Sequence, residues 1–418
     1  MTTRGGVHWH RERTGAPYRL SAAVNLAEAL KTFFSPSLVR RLSEEIVRVH
    51  RPFPVRAFAN DASAGLGRLE LLDRARHIAR ALAAHLPPAY VDAVDVLLRS
   101  LGPEHASDEL LGAGMAPFFY LPHLIFVAER GLDHFDLSMR AQYELTKRFS
   151  AESTIRVYID RYPERTLTVL RAWATDANPH VRRLVSEGTR LRLPWAPRVA
   201  WLDANPERVL QLLELLKDDP SPMVRRSVAN NLNDLGKLHP GLLARTAAAW
   251  LQDATPARRG LVEHALRSAV KRGDARALRL LGFGRVPAVS LQGVTFTPRR
   301  VPIGGRVAMR FTLRSRSRQA QDLLVDAAVH FVKARGAAPK VFKVKRLVLP
   351  PRADVELRTS FSLAVHTTRV PRPGEHAVDV LVNGRAIPAG SFHVMASTPG
   401  GRRGTTPRAA RSRSRFSR

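Results

Sequence analysis

Asn178-Pro179-His180-Val181-Arg182-Arg183 and, 43 residues later, Ser221-Pro222-Met223-Val224-Arg225-Arg226 open with the same grammar: a proline placed for a first helical turn, then a pair of arginines. A looser third copy, Thr255-Pro256-Ala257-Arg258-Arg259, sets its arginine pair 33 residues further on. Helix pairs at such a period predict a HEAT-like α-solenoid. Each unit reads as a first helix, such as residues 167–175, a turn of the form Asp-x-x-Pro, and a second helix carrying the arginines. A repeat built for packing alone would keep its apolar positions and let its charges drift. Arginines that keep their place predict a row of cations facing one anionic partner, and second helices of such units usually line the concave face.

The surrounding chain follows suit. From residue 21 to about 284, apolar residues recur at spacings of three and four, as in Leu26, Leu30, Phe33 and Phe34, or Ile78, Leu82 and Leu86, the period of amphipathic helices. Asn205-Pro206, Asp219-Pro220 and His239-Pro240 punctuate them. Near Arg285 the period changes to the alternation of strands, over residues 289–292, 307–313, 325–332, 340–349, 355–363, 378–382 and 391–394. Asn383-Gly384 is a hairpin signal. About seven short strands predict a small immunoglobulin-like sandwich on strand count alone, since the signature Cys and Trp are missing. The expected fold is therefore mainly α: a HEAT-like α-solenoid at 21–284, then an all-β sandwich at 285–396. Residues 1–20 read as a disordered basic arm. Residues 397–418, with seven arginines and no acid from Gly401 onward, read as a disordered tail.

The 418 residues carry 67 Lys and Arg against 36 Asp and Glu, a net of +31. An apolar fraction of 44% suffices for a core, so the surplus charge lies outside it and points to nucleic acid ahead of an anionic membrane surface. It is unevenly spread. Residues 285–400 hold 19 basic and 6 acidic side chains, so the sandwich is the more cationic module per residue. Lys333, Lys343 and Lys345 fall on its neighbouring strands; they read either as a solubilising face or as phosphate contacts.

Whole classes of chemistry drop out. The absence of cysteine excludes disulfides, zinc fingers and thiol nucleophiles. His77, His123, His134, His180 and His264 show no paired metal-ligand spacing, and there is no Gly-rich phosphate loop, nucleophile elbow or H-E-x-x-H. No metal or cofactor is expected. No apolar run approaches the roughly 18 residues of a membrane span, and residues 1–19 lack the apolar stretch of a secretory signal. The expectation is a cytoplasmic monomer with no membrane partner, acting at a bacterial nucleoid.

The run His180-Val181-Arg182-Arg183-Leu184-Val185-Ser186-Glu187-Gly188-Thr189-Arg190-Leu191-Arg192-Leu193-Pro194-Trp195-Ala196-Pro197 resembles the DNA alkylation repair proteins of the AlkC type, which are HEAT-like-repeat DNA glycosylases. So do Val224-Arg225-Arg226-Ser227-Val228-Ala229-Asn230-Asn231 and Thr146-Lys147-Arg148-Phe149-Ser150-Ala151-Glu152. Val329-His330-Phe331-Val332-Lys333-Ala334 is similar to the immunoglobulin-like domain found in part of that family. The resemblance covers nearly all of residues 21–395. One departure is Leu191, which stands where a proline is expected and should change backbone stiffness rather than chemistry.

The resemblance implies excision of cationic N-alkylated bases, such as 3-methyladenine, from double-stranded DNA, working from the sugar and phosphate side with the base largely in the stack. Such an enzyme needs cations for phosphates, an aromatic face for the cationic base or sugar, and a carboxylate for the oxocarbenium-like sugar and its water. By resemblance the carboxylate is Glu152; by context alone, Ser150-Ala151-Glu152-Ser153 also reads as an N-cap with an acid in the first turn. Glu187 is the second candidate, and an i,i+4 ion pair orienting Arg183 is its other reading. Trp195, in a loop, is the aromatic candidate, whereas Trp173 sits at helical spacing with Leu170 and Leu167 as core.

The phosphate candidates are Arg148, Arg182, Arg183, Arg190, Arg192, Arg225, Arg226 and Asn230. Adjacent residues are about 100° apart on a helix, so one arginine of each pair faces DNA while the other can hold a neighbouring repeat. Both modules are expected to serve one cationic channel. The competing class is a non-catalytic HEAT-repeat DNA-binding or scaffold protein, because a solenoid by itself establishes no chemistry.

Overall fold

The computed structural model describes residues 31–105, 116–334, 336–365 and 370–396; the expected arm at 1–20 and tail at 397–418 lie outside them. The chain divides into two compact units between Leu281 and Gly282.

The first unit is helical. Proline opens the helices Pro36–Val49, Pro163–Trp173, Pro179–Gly188, Pro206–Leu216, Pro222–Leu238, Pro240–Leu251 and Pro256–Lys271, where its missing N–H would be unpaired in any case. In the three repeats, the residue before that proline caps the second helix. Asn178 Oδ1 accepts from the His180 amide at 2.9 Å, Ser221 Oγ from Val224 at 3.4 Å, and Thr255 Oγ1 from Arg258 at 3.2 Å. The three second helices pack side by side, and Val181, Leu184 and Val185 of the first, Val224, Val228 and Leu232 of the next, and Val262 and Leu266 of the third are buried.

The caps also correct the repeat. Arg182 and Arg183 lie four and five residues after their cap, as do Arg225 and Arg226, but Arg258 and Arg259 lie three and four after theirs. The third pair is therefore rotated by about 100°, and the structural counterpart of Arg226 is Gly260. The third copy repeats the proline, the cap and, at Arg259, the first arginine, but not the second.

The second unit has eight strands: β1 (Val289–Thr297), β2 (Arg300–Pro302), β3 (Arg306–Ser315), β4 (Gln321–Val332), β5 (Ala337–Leu349), β6 (Asp354–Ser362), β7 (Gly374–Val382) and β8 (Arg385–Met395). They form a three-stranded sheet, β1-β3-β6, and a five-stranded sheet, β2-β8-β7-β4-β5. All pairs are antiparallel except β2 with β8; three-residue β2 is too short to show alternation and was not expected. Val307, Met309, Phe311 and Leu313 of β3 oppose Leu323, Val325, Ala327 and Val329 of β4 in one buried core. Asn383 and Gly384, with φ of 48° and 77°, make the β7–β8 turn, the backbone that an Asn-Gly hairpin demands.

Candidate active site

The two arginines of each pair do different work. Arg182 Nη1 donates to the carbonyls of Asp176 and Ala177 at 2.8 and 3.0 Å, clasping its own inter-helix turn. Its Nε and Nη2 fork onto the buried Asp219 carboxylate of the next repeat at 2.7 and 3.0 Å. Arg225 repeats the clasp, reaching the carbonyls of Asp219 and Pro220. Arg182 thus ties its repeat to the next, and Arg225 braces its own inter-helix turn. The second arginines face elsewhere.

Arg183 faces Glu152. That carboxylate stands in a turn at residues 151–154, ahead of the helix Ile155–Arg161, whose N-cap residue is Thr154. Ser150 is thus not a cap; its hydroxyl donates instead to Glu152 Oε2 at 2.9 Å. Arg183 Nη1 donates to the same oxygen at 2.8 Å and to Ser150 Oγ at 3.1 Å. Behind this pair runs an alternating chain of charge. Arg183 Nη2 lies 3.9 Å from Glu187 Oε2. Glu187, only 5% exposed, accepts from Arg190 Nη1 at 2.6 Å and from Ser227 Oγ at 2.5 Å. Arg190 Nε and Nη2 both reach Asp234 Oδ2, at 2.9 and 2.7 Å, and Lys237 closes the chain on Asp234 Oδ1 at 2.8 Å.

Burial opposes the charge on Arg183, yet the Glu152 and Glu187 carboxylates outweigh it and hold its guanidinium above its ordinary value. Arg190 is raised in the same way against its own burial, by Glu187 and Asp234. Glu187 is the centre of this network, and its closest cation is Arg190 rather than Arg183. Half-buried Glu152 ends the network on one side and the more exposed Lys237 on the other.

Trp195 follows the helix Pro179–Gly188. That helix ends against the one after Glu152 so tightly that a Cβ on Gly188 would lie 2.6 Å from Ile155 Cγ2. Beyond it, Leu191 and Leu193 are buried. At position 191 an apolar anchor serves where a stiff proline was expected. Arg192 binds the Asp203 carboxylate at 2.8 and 3.1 Å. Trp195 itself is 72% exposed with φ of 62°. A bulky residue in the left-handed region costs on the order of 1–3 kcal/mol, and here no burial of the indole offsets it. Trp173, by contrast, packs on the core and on Tyr143.

Sequence reasoning passed over Arg156. It is 2% exposed and donates from Nη1 to the carbonyls of Gly188 and Arg190 at 2.9 and 2.8 Å, and from Nε to that of Pro197 at 3.1 Å. Nothing in its own neighbourhood of sequence marks it, because every partner lies more than 30 residues away.

One repeat downstream, the same framework loses its acids. Nine residues after the cap stand Glu187, Asn230 and His264 in turn, so His264 is the third counterpart. Exposed Arg226 sets Nη1 3.4 Å from His264 Nε2, which lies 3.1 Å from Asn230 Oδ1; Arg267 Nη2 donates to that same oxygen at 3.0 Å. Among the described residues neither Arg226 nor Arg267 forms an ion pair. Burial pulls the Arg267 guanidinium down; Asp234 opposes this, while the repulsion of Arg190 and Arg226 adds to it.

Arg148 is occupied with structure: Nε donates to the Gly102 carbonyl at 2.8 Å and Nη1 to Glu144 Oε2 at 3.1 Å. In the β unit, Lys343 and Lys345 are exposed on edge strand β5, where a register shift opposite Val325 and Asp326 interrupts the alternation between them. Lys333 is exposed just beyond β4. Among the described residues no three His, Asp or Glu side chains are grouped to hold a metal ion.

Comparison with known proteins adds relatives. Residues 290–396 match the family described as the C-terminal Ig-like domain of the uncharacterised protein YhaZ, and residues 209–239 match the HEAT repeat. The uncharacterized protein YhaZ of Bacillus subtilis is 31% identical over 327 residues, covering 78% of this chain and 88% of that protein. The Pseudomonas fluorescens alkylpurine DNA glycosylase AlkC, solved bound to DNA containing an abasic site analog, is similar at 36% identity and a TM-score of 0.82, over 88% of this chain and 99% of that one.

Proposed function

This chain belongs to the AlkC-type family of HEAT-like-repeat proteins with a C-terminal immunoglobulin-like domain, and we propose that it is a DNA glycosylase that excises positively charged N-alkylated bases, such as 3-methyladenine, from double-stranded DNA. The observation that carries this reading is the Glu152 carboxylate. Both of its described donors sit on Oε2, so Oε1 remains to face a substrate.

Alkylation at a ring nitrogen makes the base cationic and a good leaving group. The C1′–N bond breaks with its electron pair returning to the ring, which leaves a neutral base and an oxocarbenium-like sugar. Water adds to C1′ and gives up a proton, completing an abasic site. Glu152 faces the developing positive charge, orients the water and takes that proton. Arg183 fixes the carboxylate in place, and the Trp195 ring presents a negative face to the cationic base or sugar. Arg226, Asn230 and Arg267 meet phosphates one repeat downstream; Lys333, Lys343 and Lys345 give the β unit its own backbone contacts. Because the leaving group must be cationic, neutral damage such as uracil is a poor substrate.

The assay incubates methylated duplex with the wild-type chain and with Glu152→Gln, and measures free methylated base. Release by the wild type and its loss in the variant support the proposal. No release by the wild type points instead to a DNA-binding scaffold, and release that survives the substitution removes Glu152 from the chemistry. Uracil release at a rate near that of 3-methyladenine would sink the requirement for a charged lesion.

A further inference from the structure

Among the described residues the buried Arg156 guanidinium forms no ion pair with a carboxylate. Its three acceptors are all backbone carbonyls of residues 188–197, two at the start of that loop and one at its end. Burial pulls its pKa down to about 10, with Asp203 working the other way, so it remains a cation at neutral pH. Burying such a group is costly, and an apolar side chain of similar size would fill the space at less expense. What only a guanidinium supplies here is a fork of donors that ties both ends of one loop to one point.

Between those ends stand the buried anchors Leu191 and Leu193 and the exposed Trp195. Trp195 lies two residues before the clamped Pro197 carbonyl. Arg156 itself lies four residues after Glu152, in the first turn of the helix Ile155–Arg161 that the Glu152 turn leads into. Carboxylate and clamp therefore ride on one short, packed element, and the aromatic is tied to it.

We propose that Arg156 is a positioning residue that fixes the Trp195 loop to the turn carrying Glu152, so that ring and carboxylate meet the same nucleotide in a set geometry. This rests on the glycosylase reading above. It makes no contact with DNA, and acts through Trp195.

The test compares Arg156→Met, Arg156→Lys, Trp195→Ala and the double variant Arg156→Met/Trp195→Ala. Two quantities are read: single-turnover release of 3-methyladenine, and affinity for undamaged duplex. Displacement of the loop is expected to slow release by up to about tenfold in Arg156→Met, the loss expected for removing the ring altogether, with affinity for undamaged duplex unchanged. Arg156→Lys, which keeps the charge and a donor, recovers part of the rate. Once Trp195 is alanine, Arg156→Met costs nothing further. Losses that add in the double variant, or a parallel loss of undamaged-DNA binding, overturn the proposal. A readout independent of chemistry is the fluorescence anisotropy of Trp195, taken as the difference between each chain and its Trp195→Phe counterpart. It falls when Arg156 is replaced by Lys, and an unchanged value overturns the clamp. Should the wild type release no base, the enzyme reading fails while the anisotropy still decides the clamp.

Discussion

Arg183 Nη1 donates to Glu152 Oε2 across 2.8 Å, joining the second helix of one repeat to the turn that precedes another helix. An arginine that sequence grammar reads as a phosphate contact thus holds the candidate catalytic acid. Glu152→Gln keeps the shape and removes the charge that would meet the oxocarbenium-like sugar. Release of 3-methyladenine should fall by about 100- to 1,000-fold, the range for losing one electrostatic stabiliser of a transition state. Binding to an uncleaved methylated duplex, measured by fluorescence titration, should be retained.

The two arginines of a pair should fail in different ways. Arg182→Ala strands the buried Asp219 carboxylate and is expected to cost about 3–5 kcal/mol of stability, seen as a lower denaturant midpoint. Arg226→Ala removes an exposed cation, so stability should move by no more than about 0.5 kcal/mol. Instead, the slope of log affinity against log salt should shrink by about 0.9 for one lost phosphate contact. A salt slope that changes with Arg182 and not with Arg226 would reverse these roles.

Trp195→Ala should separate catalysis from folding even more cleanly. A ring that is 72% exposed contributes little to the core, so the melting temperature should hold. Loss of a cation–π contact worth about 1–2 kcal/mol should slow release roughly tenfold. Trp195→Gly, which relieves the positive φ, should melt no lower than the alanine variant.

What was legible in the chain was whatever is local. Prolines at first turns, the Asn-Gly hairpin and the change of period near residue 285 depend only on neighbours, and they carry the architecture. The site depends on partners one repeat away. Arg182 meets Asp219, Arg183 meets Glu152, and Arg190 meets Asp234, at separations of 37, 31 and 44 residues. A row of arginines in sequence therefore looked like a row of free cations, while in space most of them are neutralised. The third arginine pair misled for a related reason: a one-residue slip is trivial in a line of text but turns a helix face by about 100°. Arg156 was invisible because its described hydrogen-bond partners are backbone carbonyls, which have no letter in the sequence.

His123 makes stability depend on pH in a way that can be isolated. The side chain is fully buried in the helix Leu121–Arg130, near the Phe119 and Tyr120 rings, and among the described residues Nδ1 has no hydrogen-bond partner. Burial pulls its imidazole from about 6.5 down to about 4. Between those values the unfolded chain binds a proton that the folded chain refuses, so stability is full above about pH 6.5 and falls as pH drops toward 4. The loss levels off at about 3 kcal/mol below that window. Other groups titrate over the same range, so the informative quantity is a difference. His123→Phe should lose less stability than the wild type between pH 7 and pH 4, by chemical denaturation at each pH. Parallel profiles for the two chains would mean that the imidazole is not held neutral in the core.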